Sequence, residues 1–262
     1  MNTLRKPRLN STVVSVAVET FSKASRIYDE GILGDESVVD VERAGPVATI
    51  FLNRPEKANA LHSALLSELA GAFRSLAADE SLRVAVLAGR GKTFCGGADV
   101  EELRQLNAET APRFVTRIHE VCQAIRELSV PVVARLHGAV IGAGLEIAAA
   151  CDLRIAAGGT KFAMPEVRLG IPAVVEAALL PRLMGSGRAA WLVLTGEAID
   201  ARRALEWGLI EEISDGERLV HSLLAGDREA LRVQKQLLQL WDQASLSTSV
   251  AASIERFSRA HR

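Results

Sequence analysis

Two carboxylates in this 262-residue sequence stand where a solvated charge is hard to explain. Glu146 lies in Val140-Ile-Gly-Ala-Gly-Leu-Glu-Ile-Ala-Ala-Ala150, where every neighbour for several positions is apolar or glycine. Burying a carboxylate without partners is costly, so this placement asks for a reason. Acid–base chemistry is one; the other is a place near a helix start, beside the positive end of its dipole or a buried basic partner. Glu166 follows Phe162-Ala163-Met164-Pro165, where the proline ends a strand and the glutamate enters the first turn of a helix or loop. Its plain reading is a capping charge, and its chemical reading is the second acid of a pair. The two acids are 20 positions apart, enough for a short helix, a strand and a return, so both can converge at one end of a sheet.

Two glycine turns accompany the acids, Cys95-Gly96-Gly97-Ala98-Asp99 and Gly142-Ala143-Gly144, each before an expected helix start. Small residues let a ligand approach the backbone, and free N–H groups at helix starts can stabilise a negative oxygen; ordinary structural turns are the alternative. Gly142-Ala-Gly144 lacks the third glycine and the preceding strand of a dinucleotide fingerprint, which argues against a nicotinamide site. His62, His119, His137, His221 and His261 form no triad or metal cluster, so no metal is expected. Cys95 is read as a packed thiol rather than a nucleophile, since no base lies near it in sequence, and Asp152 as a cap or salt-bridge partner.

The elements that must position these residues follow from periodicity. Ser37 to Glu42 and Val47 to Leu52 read as a hairpin around Ala44-Gly45-Pro46. Leu65, Leu66, Leu69, Phe73 and Leu76 mark a helix over 63–78, and 83–88 is a buried strand. The pattern recurs with a helix over 111–128, a strand 132–136, a glycine-rich turn, a short helix 144–151 and a strand 153–156. Strands alternating with helices predict an α/β fold with right-handed crossovers. Helices are expected at 189–194, 201–207 and 228–244. The expected organisation is an N-terminal extension over 1–36 and a single domain over 37–262, divided into a core to residue 185 and a helical region from 186.

Composition narrows the class. With 48% hydrophobic and 24% charged residues and a formal charge of −1, the chain reads as soluble and globular, without the basic face that nucleic acid requires. Three cysteines without metal-ligand spacing suit a reducing compartment. No apolar run reaches the roughly 18 residues of a membrane span, so no insertion is expected. Arg5, Lys6 and Arg8 with no acid before residue 19 give residues 1–18 a faint transit-peptide character; the cytoplasm is the expected location and the mitochondrial matrix the alternative.

Taken in order and spacing, Leu52-Asn-Arg-Pro-Glu-Lys-Ala-Asn-Ala-Leu61, Phe94-Cys-Gly-Gly-Ala-Asp99, Gly138-Ala-Val-Ile-Gly-Ala-Gly-Leu-Glu146, Cys151-Asp152 and Met164-Pro-Glu-Val-Arg-Leu-Gly-Ile-Pro172 resemble the enoyl-CoA hydratase/isomerase (crotonase) family. Leu194-Thr-Gly-Glu-Ala-Ile-Asp200 and Ala204-Leu-Glu-Trp-Gly-Leu-Ile210 extend the likeness to the helical region. The resemblance implies a spiral of ββα units, an acyl-CoA substrate, a homotrimer or dimer of trimers, and no cofactor beyond the CoA carried by the substrate. It makes the N–H groups of Ala98 and Ala143 an oxyanion hole for the thioester carbonyl. It sets Glu146 and Glu166 about a water added across the α,β double bond, one activating the water and the other supplying the α-proton. Lys57, Ala58, Ala60, Gly96, Ala98, Asp99, Val100, Glu101 and Ala143 match segments that line the CoA groove. The implied activity is 2-enoyl-CoA hydration, with isomerisation or CoA-thioester hydrolysis on the same oxyanion hole as alternatives and a non-catalytic acyl-CoA-binding or assembly subunit as a third.

Two departures bear on that implication. After Pro172 the chain reads Ala-Val-Val-Glu-Ala-Ala-Leu-Leu-Pro181 in place of a glycine-rich run, with the preceding segment one residue shorter, which predicts a shifted Glu166 or a reshaped acyl pocket. It also introduces Glu176, a new candidate acid or else a salt-bridge residue on a helix face. The charged, glycine-containing final helix of the family is not expected in the residues before Arg262.

Overall fold

The computed structural model describes residues 37–259; the expected extension over 1–36 and His261 lie outside them. The hairpin forms as β1 (Val39–Ala44) and β2 (Val47–Leu52), antiparallel about Gly45, which takes a φ of +56° that disfavours side chains. A 3₁₀ turn (Pro55–Lys57) leads to α1 (Ser63–Leu76), which buries the apolar stripe read from its sequence. His62 caps it, its Nδ1 accepting from Leu65 N–H at 3.0 Å. β3 (Val84–Gly89) is buried at all six positions, as a continuous apolar run covered on both faces should be. Then come α2 (Val100–Leu103), α3 (Ala111–Glu127), β4 (Val132–Leu136), β5 (Ala139–Ile141), α4 (Ala143–Ala150), β6 (Leu153–Ala156) and β7 (Lys161–Ala163).

β4 and β6 enter a main sheet, and β5 and β7, the strands that follow them, a second layer. β4, β5 and α4 show the unit fully, and the chain advances by ββα steps, the α/β spiral that the resemblance implies. The main sheet has the order β1-β2-β3-β4-β6-β9, parallel from β2 onward, with β9 at Glu212–Ile213. The second layer pairs β5 with β7 in parallel, and β7 with β8 (Ile199–Asp200) antiparallel. Isolated bridges Leu61 to Ala98 and Cys95 to Val140 carry that layer across the glycine turn at 96–97. The stretch 139–141, expected as part of a turn, is therefore a strand: it is too short to show a period, and its partner at 161–163 supplies its hydrogen bonds.

Beyond two 3₁₀ turns (Glu166–Leu169 and Val175–Leu179), the helices are α5 (Leu180–Met184), α6 (Ser186–Thr195), α7 (Ala201–Trp207), α8 (Glu217–Ala225), α9 (Arg228–Trp241) and α10 (Leu246–Arg259). Lys235 of α9 is buried and donates to Ile125 O at 3.1 Å and Val130 O at 3.0 Å while lying 2.8 Å from Asp152 Oδ2, so Asp152 is a salt-bridge partner as expected. α10 is a final helix, but not the charged, glycine-containing one whose absence the sequence predicts. Leu246, Val250, Ile254 and Phe257 fall on one helical face, but Ser, Thr and Ala between them hide the period, and all four remain exposed. It contains no glycine and docks on α9 through Trp241 Nε1 to Ser253 Oγ (3.2 Å) and Arg256 to Gln236 Oε1 (2.8 Å). Among the described residues no helix is long and apolar enough to cross a membrane.

Candidate active site

Glu146 lies in the first turn of α4, a helix buried at all eight positions, and is itself only 3% exposed. Among the described residues no basic side chain meets it. Its Oε1 accepts from Ala177 N–H at 3.2 Å, and the Val174 backbone N–H faces it as well. Burial pushes its carboxyl up to about 8, the charges of Glu166 and Glu176 add to that, and the two N–H groups pull the other way. Glu166 opens the 3₁₀ turn after Pro165 and reaches back over the start of α4: a side chain at Gly142 would collide with Glu166 Oε1. Its Oε2 is buried and has no hydrogen-bond partner among the described residues, and burial raises its pKa too. Two carboxyls that feel each other resist ionising together, and Glu146, raised to about 8, keeps its proton near neutral pH.

The two glycine turns meet beside this pair. Ile141 N–H donates to Cys95 O at 3.0 Å, a side chain on Gly144 would strike Cys95 Cβ and Sγ, and a side chain on Gly97 would press on Ile141 O. Gly97 O accepts from Leu61 N–H and Asp99 N–H donates to Leu61 O, both at 2.8 Å, so the parallel bridge turns the N–H of Ala98 away from Leu61. Ala143 is the first residue of α4, and its N–H has no carbonyl one turn earlier in the helix to receive it. Cys95 is fully buried, with a thiol pushed up to about 12 by burial, which makes it packing rather than a nucleophile.

The segment 54–60 lies along the outer edge of the first turn. Ala58 and Asn59 take φ values of +53° and +54°; Asn59 is buried, and its amide holds the carbonyls of Arg90, Thr93 and Phe94 at 2.7–3.1 Å. Gly96 N–H donates to Ala58 O at 2.8 Å and Lys57 Nζ is 3.2 Å from Glu101 Oε1, so Lys57, Ala58, Gly96, Val100 and Glu101 form one exposed strip with Ala60 half-buried within it. Asp99 differs. It is buried, pairs with Arg54 at 2.5 Å and caps α2 by accepting from Glu101 N–H and Glu102 N–H. Burial alone would raise its pKa, but these partners outweigh it and the net shift is downward. Its carboxylate is therefore spent on the scaffold.

The segment after Pro172 brings a third carboxylate into the protein interior. Val175 has a φ of +40°, which a β-branched residue rarely adopts and which costs on the order of 1–3 kcal/mol. This turn buries Glu176, whose Oε1 lies 2.7 Å from His119 Nδ1 on α3. The candidate acid of the sequence is thus partnered, by a histidine 57 positions earlier. Periodicity alone did not reveal that partner, although His119 and Cys122 are three apart and share a helix face. Among the described residues no cluster of three or more His, Cys, Asp or Glu could hold a metal ion.

Enoyl-CoA hydratases of known structure share this fold. That from Mycobacterium smegmatis superposes with a TM-score of 0.83 at 32% identity, covering 86% of this chain and 91% of that one. That from Bacillus anthracis gives 0.81 at 31%, covering 85% and 90%. The short-chain-enoyl-CoA hydratase of Clostridium acetobutylicum is 32% identical over 228 residues, 84% of this chain and 87% of its own length. Crotonyl-CoA hydratase of Syntrophomonas wolfei is 31% identical, over 83% and 87%. Residues 42–256 match the family model for enoyl-CoA hydratase/isomerase, and the chain belongs to that family, the crotonases.

Proposed function

We propose that this protein adds water across the double bond of a 2-enoyl-CoA thioester. The observation that carries the reading is the buried Glu146 carboxyl, raised to about 8, with the Glu166 carboxyl over the start of its helix and the glycine turns of Ala98 and Ala143 beside them. The N–H groups of Ala98 and Ala143 receive the thioester oxygen as it gains charge on the way to the enolate, an effect worth about 3 kcal/mol for one such donor. One glutamate takes a proton from the attacking water while the other delivers one to the α-carbon, so the charge of the pair is unchanged across the step. The reaction needs no cofactor, because CoA arrives with the substrate and both proton transfers fall to carboxyl groups. The strip from Lys57 to Ala60 and from Gly96 to Glu101, with Ala143 at the oxyanion, holds the CoA portion, Asp99 acting through Arg54 and the cap of α2.

The test is loss of the conjugated thioester absorbance with crotonyl-CoA. Double-bond movement without water uptake, or release of free thiol, would replace this reading by isomerase or thioester hydrolase, and acyl-CoA binding without turnover by a binding subunit. Gly142→Ala is expected to lower the hydration rate on the order of 10²-fold, because the new methyl displaces Glu166 from the reacting water. Its cost in stability, read from urea unfolding, should be on the order of 1–3 kcal/mol, the strain of a side chain on the Gly142 backbone at φ +52° and ψ −124°. The working assembly in this reading is a homotrimer or dimer of trimers in the cytoplasm. Exposed Leu169, Ile171, Val174 and Leu194 leave apolar area beside the site for a neighbouring copy, and sedimentation at equilibrium should show no monomer at micromolar concentration.

A further inference from the structure

Glu176 is a buried carboxylate that the proposed reaction does not use. Its Oε1 is held 2.7 Å from His119 Nδ1, whereas its Oε2 is buried without a hydrogen-bond partner among the described residues. The His119 side chain is 54% exposed, so the pair reaches from solvent to the interior. The same turn that buries Glu176 supplies Ala177 N–H to Glu146, so one short segment touches the candidate base or acid in two ways, through a dipole and through a charge. Cys122, on the His119 face of α3, reports the crowding: burial, then the charges of Glu176 and Glu146, hold its thiol well above the ordinary range.

We propose that Glu176 and His119 are a positioning pair for Glu146: the histidine holds the buried carboxylate, which sits on the turn whose Ala177 N–H meets Glu146 Oε1 and opposes a charge there. The surroundings leave few other charges to do this. Glu146 is faced by Glu166 from the 3₁₀ turn, by Glu176 from the next turn, by Cys122 from α3, and by no titratable group of β5. Glu176 is faced by His119 and Cys122 from α3 and by Glu146 from α4, while Arg182, the titratable residue of α5, pairs with Asp242. The use made of the proton rests on the hydratase reading; the coupling of the three side chains does not.

The experiment follows the Glu146 carboxyl by infrared spectroscopy of protein carrying ¹³C-labelled glutamate, its band assigned by loss in Glu146→Gln, alongside the pH profile of crotonyl-CoA hydration. Glu176→Gln keeps the shape and removes the charge, and should move the Glu146 titration down by about one pH unit, with the matching limb of the kcat profile following it. His119→Gln, at an exposed position, keeps a hydrogen-bond donor for Glu176 and should leave the titration in place or move it up. A Glu146 band that Glu176→Gln leaves unmoved, or that both variants move down alike, overturns the proposal. If wild type hydrates no enoyl-CoA but the band moves as stated, the pair stands and the hydratase reading falls.

Discussion

Replacing either Glu146 or Glu166 by glutamine is expected to lower kcat for crotonyl-CoA hydration by about two or more orders of magnitude, with a much smaller change in KM. Glutamine keeps size and one acceptor but can neither take nor give the proton, so it removes an interaction that matters only as water adds. The two losses should not sum in the double variant, because in the proposed reaction the acids act on one water and losing either is already disabling. Loss of absorbance in wild type, followed beside the two variants at saturating substrate, checks this. A Glu166→Gln enzyme that retained a tenth of the activity would mean that the shortened segment 166–172 had removed that acid from the reaction. The geometry argues otherwise, since Glu166 Oε1 lies directly over Gly142, at the start of the helix that carries Glu146.

The second large effect is on stability, and its sign follows from linkage. Glu146 is raised from 4.5 to about 8 in the folded protein, so between those values the folded state binds more protons than the unfolded one. Its stabilising contribution is complete below about pH 4.5 and is lost as pH rises through 8. Glu166 is shifted in the same direction and adds to the slope. Glu146→Gln should therefore match wild type near pH 5 and exceed it at pH 9, by on the order of 3 kcal/mol after allowing for water penetration. Urea unfolding at the two pH values measures the difference. An advantage that did not grow with pH would show that Glu146 is ionised in the fold at little cost. The same variant should thus be the less active and, in alkali, the more stable, as expected where a site holds a group its surroundings disfavour.

Much of the frame was legible in local pattern. The 3.6-residue period of Leu65, Leu66, Leu69 and Phe73, the unbroken apolar run at 84–88 and the run at 132–136 broken only by Arg135 specify elements because a helix or a two-sided strand must hide those side chains wherever it packs. Glu146 stood out by the same logic inverted, as a charge inside a run with no polar face. Where the period was diluted, reading failed: α10 spreads its apolar residues among small ones, and β5 is three residues long. Residue type and spacing also marked the glycine turns, since a bend without a Cβ is a local demand. What no local rule reaches is distance between segments remote in the chain. That Glu166 lies over Gly142, that Asp99 is spent on Arg54, that Glu176 finds His119, and that Glu146 holds its proton to about pH 8 all depend on which segments come together and how much water they exclude. Desolvation and charge coupling act through space, and only the packed molecule sets them.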